Sequence, residues 1–221
     1  MLSLDPDVAS PDNNEVFPQA EHMGLEYDWD APDSVSRLAS FVPMERAPNL
    51  RAFHLDPETE LTDIVTQRVT MAKGLLVSQR FWRALNGSRV QPHQRYPAEV
   101  VLRDDRRPYL WIHWTEDLTN RIDFSHSEFV IEPPGGGASA RAEVESKEEL
   151  ARIVTHLVDT LTGDLVPRKV SFSPGTPSYD FLFLQLQARR LYVSEALAER
   201  LSASRLTGFR LGPVAAELVF P

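Results

Sequence analysis

Catalysis needs acids, bases and nucleophiles that a fold can bring together. This 221-residue chain offers six histidines, 32 carboxylates and no cysteine for that purpose. The histidines (His22, His54, His93, His113, His126 and His156) are scattered, with no i,i+4 pair of the kind that grips zinc on one helix face. The missing cysteine removes disulfides, thiolate metal sites and thiol nucleophiles together, and it fits a reducing compartment. Ser125-His126-Ser127 sets hydroxyls beside an imidazole. Neighbours in a strand point apart and catalytic triads assemble across a fold, so a turn or strand edge is the expected reading. The carboxylate pairs Asp104-Asp105, Glu116-Asp117 and Glu148-Glu149 fall in a turn, a loop and a helix start. No P-loop, dinucleotide fingerprint or nucleophile elbow is present, and Gly135-Gly136-Gly137 follows Pro134 with no strand leading in. The expectation is therefore a protein that is not an enzyme, with no catalytic residue, no metal and no cofactor. A small-molecule enzyme of unrecognised type, using His93, His113 or His126 with carboxylates, stays as an alternative.

The elements that would position such groups are legible in part. Asp56-Pro57-Glu58 reads as a helix start, with Leu61, Ile64, Val65 and Val69 following at near-helical spacing; a strand beginning near Ile64 is the alternative. Leu75-Leu76-Val77 is a short apolar run, and Ser78 caps a helix carrying Phe81, Trp82 and Leu85. Residues 97–102 and 109–114 read as a hairpin around a charged turn at 103–108. Residues 129–131 form a further strand, and strands follow near 168–172 and 181–187. The clearest helix is 147–161, with Ser146 and Glu149 as a capping box. Its stripe of Leu150, Ile153, Val154, Leu157, Val158 and Leu161 must pack on something. His156 falls on the polar side of that helix. The fold class is α+β, a mixed or antiparallel sheet with a few short helices.

Charge divides the chain. The net −9 is concentrated in residues 1–64, where fourteen acids face three arginines, a balance of −11; residues 65–221 hold eighteen acids against twenty bases, a balance of +2. Seven of the seventeen prolines lie in that first stretch, so no long helix fits there. It also holds Phe17, Met23, Leu25, Tyr27, Trp29, Phe41, Val42, Met44 and Phe53, which suit an extended arm anchored on a core. We read residues 1–56 as an acidic, Pro-rich N-terminal arm packed on the body, and 57–221 as one α+β domain with halves at 57–132 and 140–221. Within the arm, Glu26-Tyr27-Asp28-Trp29-Asp30 alternates aromatics with acids. It reads either as an interface strand, with Glu26, Tyr27, Asp28, Trp29, Asp30 and nearby Asp33 meeting a partner, or as an edge strand with its aromatics turned inward. Acidity disfavours nucleic acid as a ligand and favours a basic protein partner. The start Met1-Leu2-Ser3-Leu4-Asp5-Pro6-Asp7 lacks the regions of a signal peptide, and the longest apolar stretch, 181–186, is too short to span a bilayer. A cytoplasmic protein with no membrane association is expected.

The end of the chain echoes an earlier part. Leu75-Leu76-Val77-Ser78 precedes a helix with Phe81 and Leu85, and Leu191-Tyr192-Val193-Ser194 precedes one with Leu197 and Leu201. Asp63-Ile64-Val65 and Asp180-Phe181-Leu182 lie upstream at nearly equal distance. A pseudo-repeat of strand, Ser cap, helix and strand is one reading, and chance similarity is the other. These two segments, with Leu206-Thr207-Gly208-Phe209-Arg210-Leu211-Gly212-Pro213 and Asp123-Phe124-Ser125-His126-Ser127-Glu128-Phe129, resemble the eleventh immunity-protein family of bacterial polymorphic toxin systems. The matching positions are Val77-Ser78, Ser127-Glu128-Phe129, Val193-Ser194-Glu195 and Thr207-Gly208-Phe209. The likeness spans roughly residues 60–213, leaves the acidic arm uncovered, and departs from the family at Gln187-Ala188-Arg189-Arg190.

The resemblance implies a role in neutralising a cognate toxin or effector, in some cases a nuclease, delivered by a contact-dependent route such as type VI secretion. It implies no catalytic residues, since the family's Ser and Gly positions look like caps and turns. Toxins that act on nucleic acid tend to be basic, which suits an acidic inhibitor. An adaptor or chaperone for a secreted effector is the remaining alternative. Oligomeric state is not legible.

Overall fold

The computed structural model describes residues 1–6, 19–24, 26–67, 69, 71–186, 189–214 and 216–221. Phe17 and Leu25, expected as anchors, lie outside the described residues, as do Gln187 and Ala188. In chain order the strands are β1 (Leu2–Pro6), β2 (Ala20–Met23), β3 (Phe53–Leu55), β4 (Ile64–Val65), β5 (Gly74–Ser78), β6 (His93–Leu102) and β7 (Asp105–Trp114). There follow β8 (Glu128–Glu132), β9 (Ala140–Ala142), β10 (Asp164–Ser171), β11 (Phe181–Gln185), β12 (Arg189–Val193), β13 (Phe209–Pro213) and β14 (Glu217–Val219). Among the described residues three short α-helices, α1 (Gln79–Ala84), α2 (Lys147–Thr160) and α3 (Glu195–Ala203), complete an α+β fold. The sheets run β2-β3-β6-β7-β5-β4, β14-β10-β8-β9 and β11-β12-β1-β13. All pairings are antiparallel except β3 with β6 and β10 with β14.

The hairpin is longer than its sequence pattern. β6 and β7 pair from His93↔Trp114 to Leu102↔Asp105, and the turn shrinks to Arg103 and Asp104. Both turn residues have positive φ, 49° and 69°, the backbone of a two-residue turn whose twist matches its strands. An Arg106–Glu99 ion pair at 2.9 Å and a hydrogen bond from Arg103 Nε to Pro57 O at 2.7 Å tie the charged end in place. Residues 103–108 are all exposed, so their charged side chains continue the ladder on the β7 side without being buried.

Helix α2 starts as expected, with Ser146 Oγ accepting from Glu149 N at 3.1 Å. The Glu149 carboxylate accepts from Glu145 N rather than from the cap residue. Its apolar stripe is only partly covered: Leu150 and Leu157 are buried, whereas Val158 and Leu161 are exposed. At Asp56-Pro57-Glu58 the expected helix does not form. Asp56 Oδ1 accepts from Glu58 N at 2.8 Å and Asp56 O from Thr59 N, which closes a turn instead of a helix. The alternative strand is the one present, as β4.

The internal echo is structural. Ile64↔Val77 and Phe181↔Val193 are equivalent pairings of β4 with β5 and β11 with β12. Ser78 N donates to Asp63 O and Ser194 N to Asp180 O, both at 2.8 Å. Each serine hydroxyl donates to an oxygen of its aspartate, at 2.5 Å for Asp63 and 2.8 Å for Asp180, and caps its helix by accepting from Phe81 N or Leu197 N. The units then exchange bonds. Thr207 N, from the loop after α3, donates to Asp63 Oδ2 at 3.0 Å, and Arg89 N, from the loop after α1, donates to Asp180 Oδ2 at 2.8 Å. In return Asp63 N donates to Thr207 O and Asp180 N to Arg89 O. Each copy thus completes the other, and their helices share a core in which the Phe81 ring lies 6.1 Å from Phe181 and 5.8 Å from Phe209.

Residues 1–56 contribute to two sheets. β1 lies between β12 and β13, with fully buried Leu4 opposite both Leu191 and Leu211. β2 and β3 extend the six-stranded sheet, and Phe53 stacks on Trp111 with ring centroids 5.9 Å apart. Gly74 in β5 has no side chain because a Cβ there would stand 2.3 Å from Trp111 Nε1 and 2.5 Å from Ile112 O. Among the described residues no helix is long and apolar enough to cross a membrane.

Candidate functional site

Glu26-Tyr27-Asp28-Trp29-Asp30 is not a strand, which corrects both readings of its alternation. The segment is a pair of turns, with Tyr27 N donating to Gly24 O and Asp30 N to Asp28 Oδ1 at 3.0 Å. The short side chain of Asp28 competes for the backbone and wins over extended pairing. Tyr27 is the inward anchor: its hydroxyl donates to Asn49 O at 2.9 Å and accepts from Val35 N at 2.6 Å. Val35 begins a 3₁₀ helix, Val35–Ala39, which Ser34 caps and which buries Val35 and Leu38. Trp29 packs edge-on against Tyr27 at 4.9 Å, yet remains 45% exposed. Glu26, Asp28 and Asp30 are exposed and Asp33 is half-buried, so carboxylates flank an accessible indole on an anchored loop.

The histidines are accounted for one by one. His113 is wholly buried, its Nδ1 facing Lys73 O at 3.1 Å and its Nε2 facing Val42 O at 3.0 Å; burial lowers its pKa below the ordinary 6.5. His93 lies between Trp82 and Trp114, with Nδ1 on Gln91 O, and burial lowers its pKa too. His22 and His54 stack across the β2–β3 pair at 4.8 Å. Burial, then the charge of His22, lowers His54. His156 is exposed, as its place on the polar side of α2 predicts.

Ser125 and His126 lie in a 3₁₀ turn, Phe124–His126, beside Asp123. Ser125 Oγ donates to Asp123 Oδ1 at 2.6 Å. His126 Nδ1 faces both Asp123 Oδ2 at 2.8 Å and Ser125 Oγ at 3.1 Å. A relay needs the acid on one ring nitrogen and the nucleophile on the other. Here both use Nδ1, so the arrangement orders a turn; hydrogen bonds from Ser125 and then His126 hold the Asp123 carboxyl below its usual range.

A shallow groove of about 470 Å³ lies between β9 and α2, floored by Ile131, Ala142, Ile153 and Leu157 with Arg152 and His156 on its rim. It gathers none of His93, His113 and His126. Among the described residues no group of three His, Asp or Glu side chains is placed to hold a metal ion.

Two polar side chains support the loop's surroundings in a way the sequence did not announce: buried His113, legible only as a candidate catalytic group, and half-buried Gln94. Besides His113, Gln94 on β6 accepts from Met44 N at 2.7 Å and donates to Met44 O at 3.1 Å, while Tyr96 OH donates to its Oε1 at 2.5 Å. These bonds span 40 to 71 positions in sequence, except the local one from Tyr96, so no short motif announces them. No protein-family model matches the chain, and no curated protein matches it either.

Proposed function

We propose that this chain is an immunity protein, a stoichiometric inhibitor that binds a cognate toxin domain and occludes it. The observation that carries the reading is the loop at 26–33, where half-exposed Trp29 stands between the exposed carboxylates of Asp28 and Asp30 while Tyr27 pins the backbone beneath. An indole ringed by acids suits a basic partner: the charges accelerate and orient encounter, and the ring supplies the desolvated contact. A nuclease-type toxin, cationic because it handles phosphates, is the partner class that fits best. Such an inhibitor acts in the cytoplasm of the cell that makes or receives the toxin. The resemblance to the immunity family at Val77-Ser78, Val193-Ser194-Glu195 and Thr207-Gly208-Phe209 supports the reading, since these residues are strand ends, helix caps and a turn that join the scaffold.

The test is co-expression with the toxin domain encoded beside this chain. Restored growth and a co-purifying complex are expected; absence of both would remove the reading. A complex that forms while the toxin stays active would mean an adaptor or chaperone.

A further inference from the structure

Among the described residues, six large apolar side chains are exposed: Trp29, Val42, Leu61, Met71, Val158 and Leu161. Three of them sit on segments that hydrogen bonds knit together. Ser36 Oγ donates to Trp29 O at 3.4 Å, which sets the Trp29 loop against the 3₁₀ helix. Lys73 N donates to Leu38 O at 2.7 Å, so the chain after Met71 runs beside the end of that helix and the approach to Val42. His113 then faces the carbonyls of both Val42 and Lys73. Val42 is 63% and Met71 70% exposed, more than Trp29 itself.

This surface is held from below. His113 and Gln94 are register partners on β7 and β6, and both direct their polar atoms at the backbone of the overlying segments. With the backbone fixed by buried His113 and half-buried Gln94, the apolar side chains face outward without a loop to order on binding. The rim is acidic on balance: residues 26–46 carry Glu26, Asp28, Asp30, Asp33 and Glu45 against Arg37 and Arg46, and Lys73 lies over the Phe41 ring. That balance opposes nucleic acid and anionic membrane alike and favours a cationic partner.

We infer that Trp29, Val42 and Met71 form one apolar docking strip with an acidic rim, and that it takes a protein surface with apolar side chains at its centre and lysines or arginines around them. The inference rests on the inhibitor reading for its biological sense, but it extends the contact beyond residues 26–33 to two segments that reading does not include.

The probe is an 18-residue amphipathic helical peptide of lysine and leucine. Trp111 and Trp114 are fully buried and Trp82 is half-buried under Arg95, so a blue shift on binding that Trp29→Phe abolishes reports Trp29. Val42→Asp with Met71→Asp should weaken binding by about tenfold or more, the effect expected for central contacts. Val158→Asp with Leu161→Asp on α2 should change nothing. Raising salt from about 50 to about 300 mM should weaken the wild type, since the rim charges are exposed. Equal loss in both double variants, or none in either, overturns the strip. If an unfolding scan shows the first pair to be destabilised, Val42→Ser with Met71→Ser repeats the comparison. Toxin rescue that survives loss of the strip would sink this inference and leave the inhibitor reading intact. Peptide binding at the strip without any toxin partner would do the reverse.

Discussion

Replacing Asp63 or Asp180 by alanine probes the exchange of bonds between the two halves. The Asp63 carboxylate accepts from Ser78 Oγ at 2.5 Å and Thr207 N at 3.0 Å; that of Asp180 accepts from Ser194 Oγ and Arg89 N, both at 2.8 Å. Hydrogen bonds to a charged acceptor contribute about 1.5–3 kcal/mol each, and a donor left unpaired carries its own desolvation cost. Two such bonds give about 3–6 kcal/mol; Asp63 also loses the Thr207 hydroxyl at 3.4 Å and the exposed Arg80 at 3.7 Å, and Asp180 stands toward the lower end because it is only half-buried. Against a total stability of about 5–15 kcal/mol, either variant should remain folded but marginal. With a urea slope of about 2–3 kcal/mol/M, the midpoint should fall by about 1–3 M. Asparagine keeps one acceptor and should cost about half as much. The assay is urea unfolding followed by near-UV circular dichroism. Losses below about 1 kcal/mol for both alanine variants would refute the reasoning. So would a transition in which only one half melts, because each aspartate is clamped by the opposite copy.

Other perturbations follow from single contacts. Gly74→Ala places a Cβ against Trp111 and the Ile112 carbonyl, so thermal unfolding should show a loss of about 1–3 kcal/mol. Removing residues 1–6 takes a central strand from its sheet, and hydrogen exchange should show β12 and β13 losing protection together. His54, His93 and His113 all have lowered pKa values in the fold, so the unfolded state binds the extra protons. Their contribution is present above the ordinary 6.5 and is lost as pH falls through that value toward the folded pKa; His113→Gln should make unfolding free energy less steep between about pH 7 and 5.

What could be read from the sequence was local. The Ser146 cap and the hairpin pattern are set by neighbours a few positions apart, and both elements are present, although the turn tightened to Arg103-Asp104. The repeated Val-Ser steps were visible as text, but their meaning lies in Thr207 reaching Asp63, 144 positions away. β1 was hidden for the same reason: Ser3 bonds to Gly212 across 209 positions, and no propensity of its own marks it as a central strand. At residues 26–30 the alternation pointed to a strand, while the Asp28 side chain captured the Asp30 amide and made a turn. The same competition at Asp56 replaced a helix. In the candidate site, the acids and Trp29 were legible as types, whereas Val42, Met71 and the His113 and Gln94 supports beneath them depend on how distant segments meet.

The central claim is that a fixed acidic surface around Trp29 silences a toxin by direct binding. Its most direct test is titration of the purified chain into the activity of the neighbouring-gene toxin domain. The expected result is complete loss of activity at one equivalent, with Trp29→Ala weakening inhibition by at least about tenfold while the fold is retained. Full toxin activity in the presence of excess chain would contradict the claim.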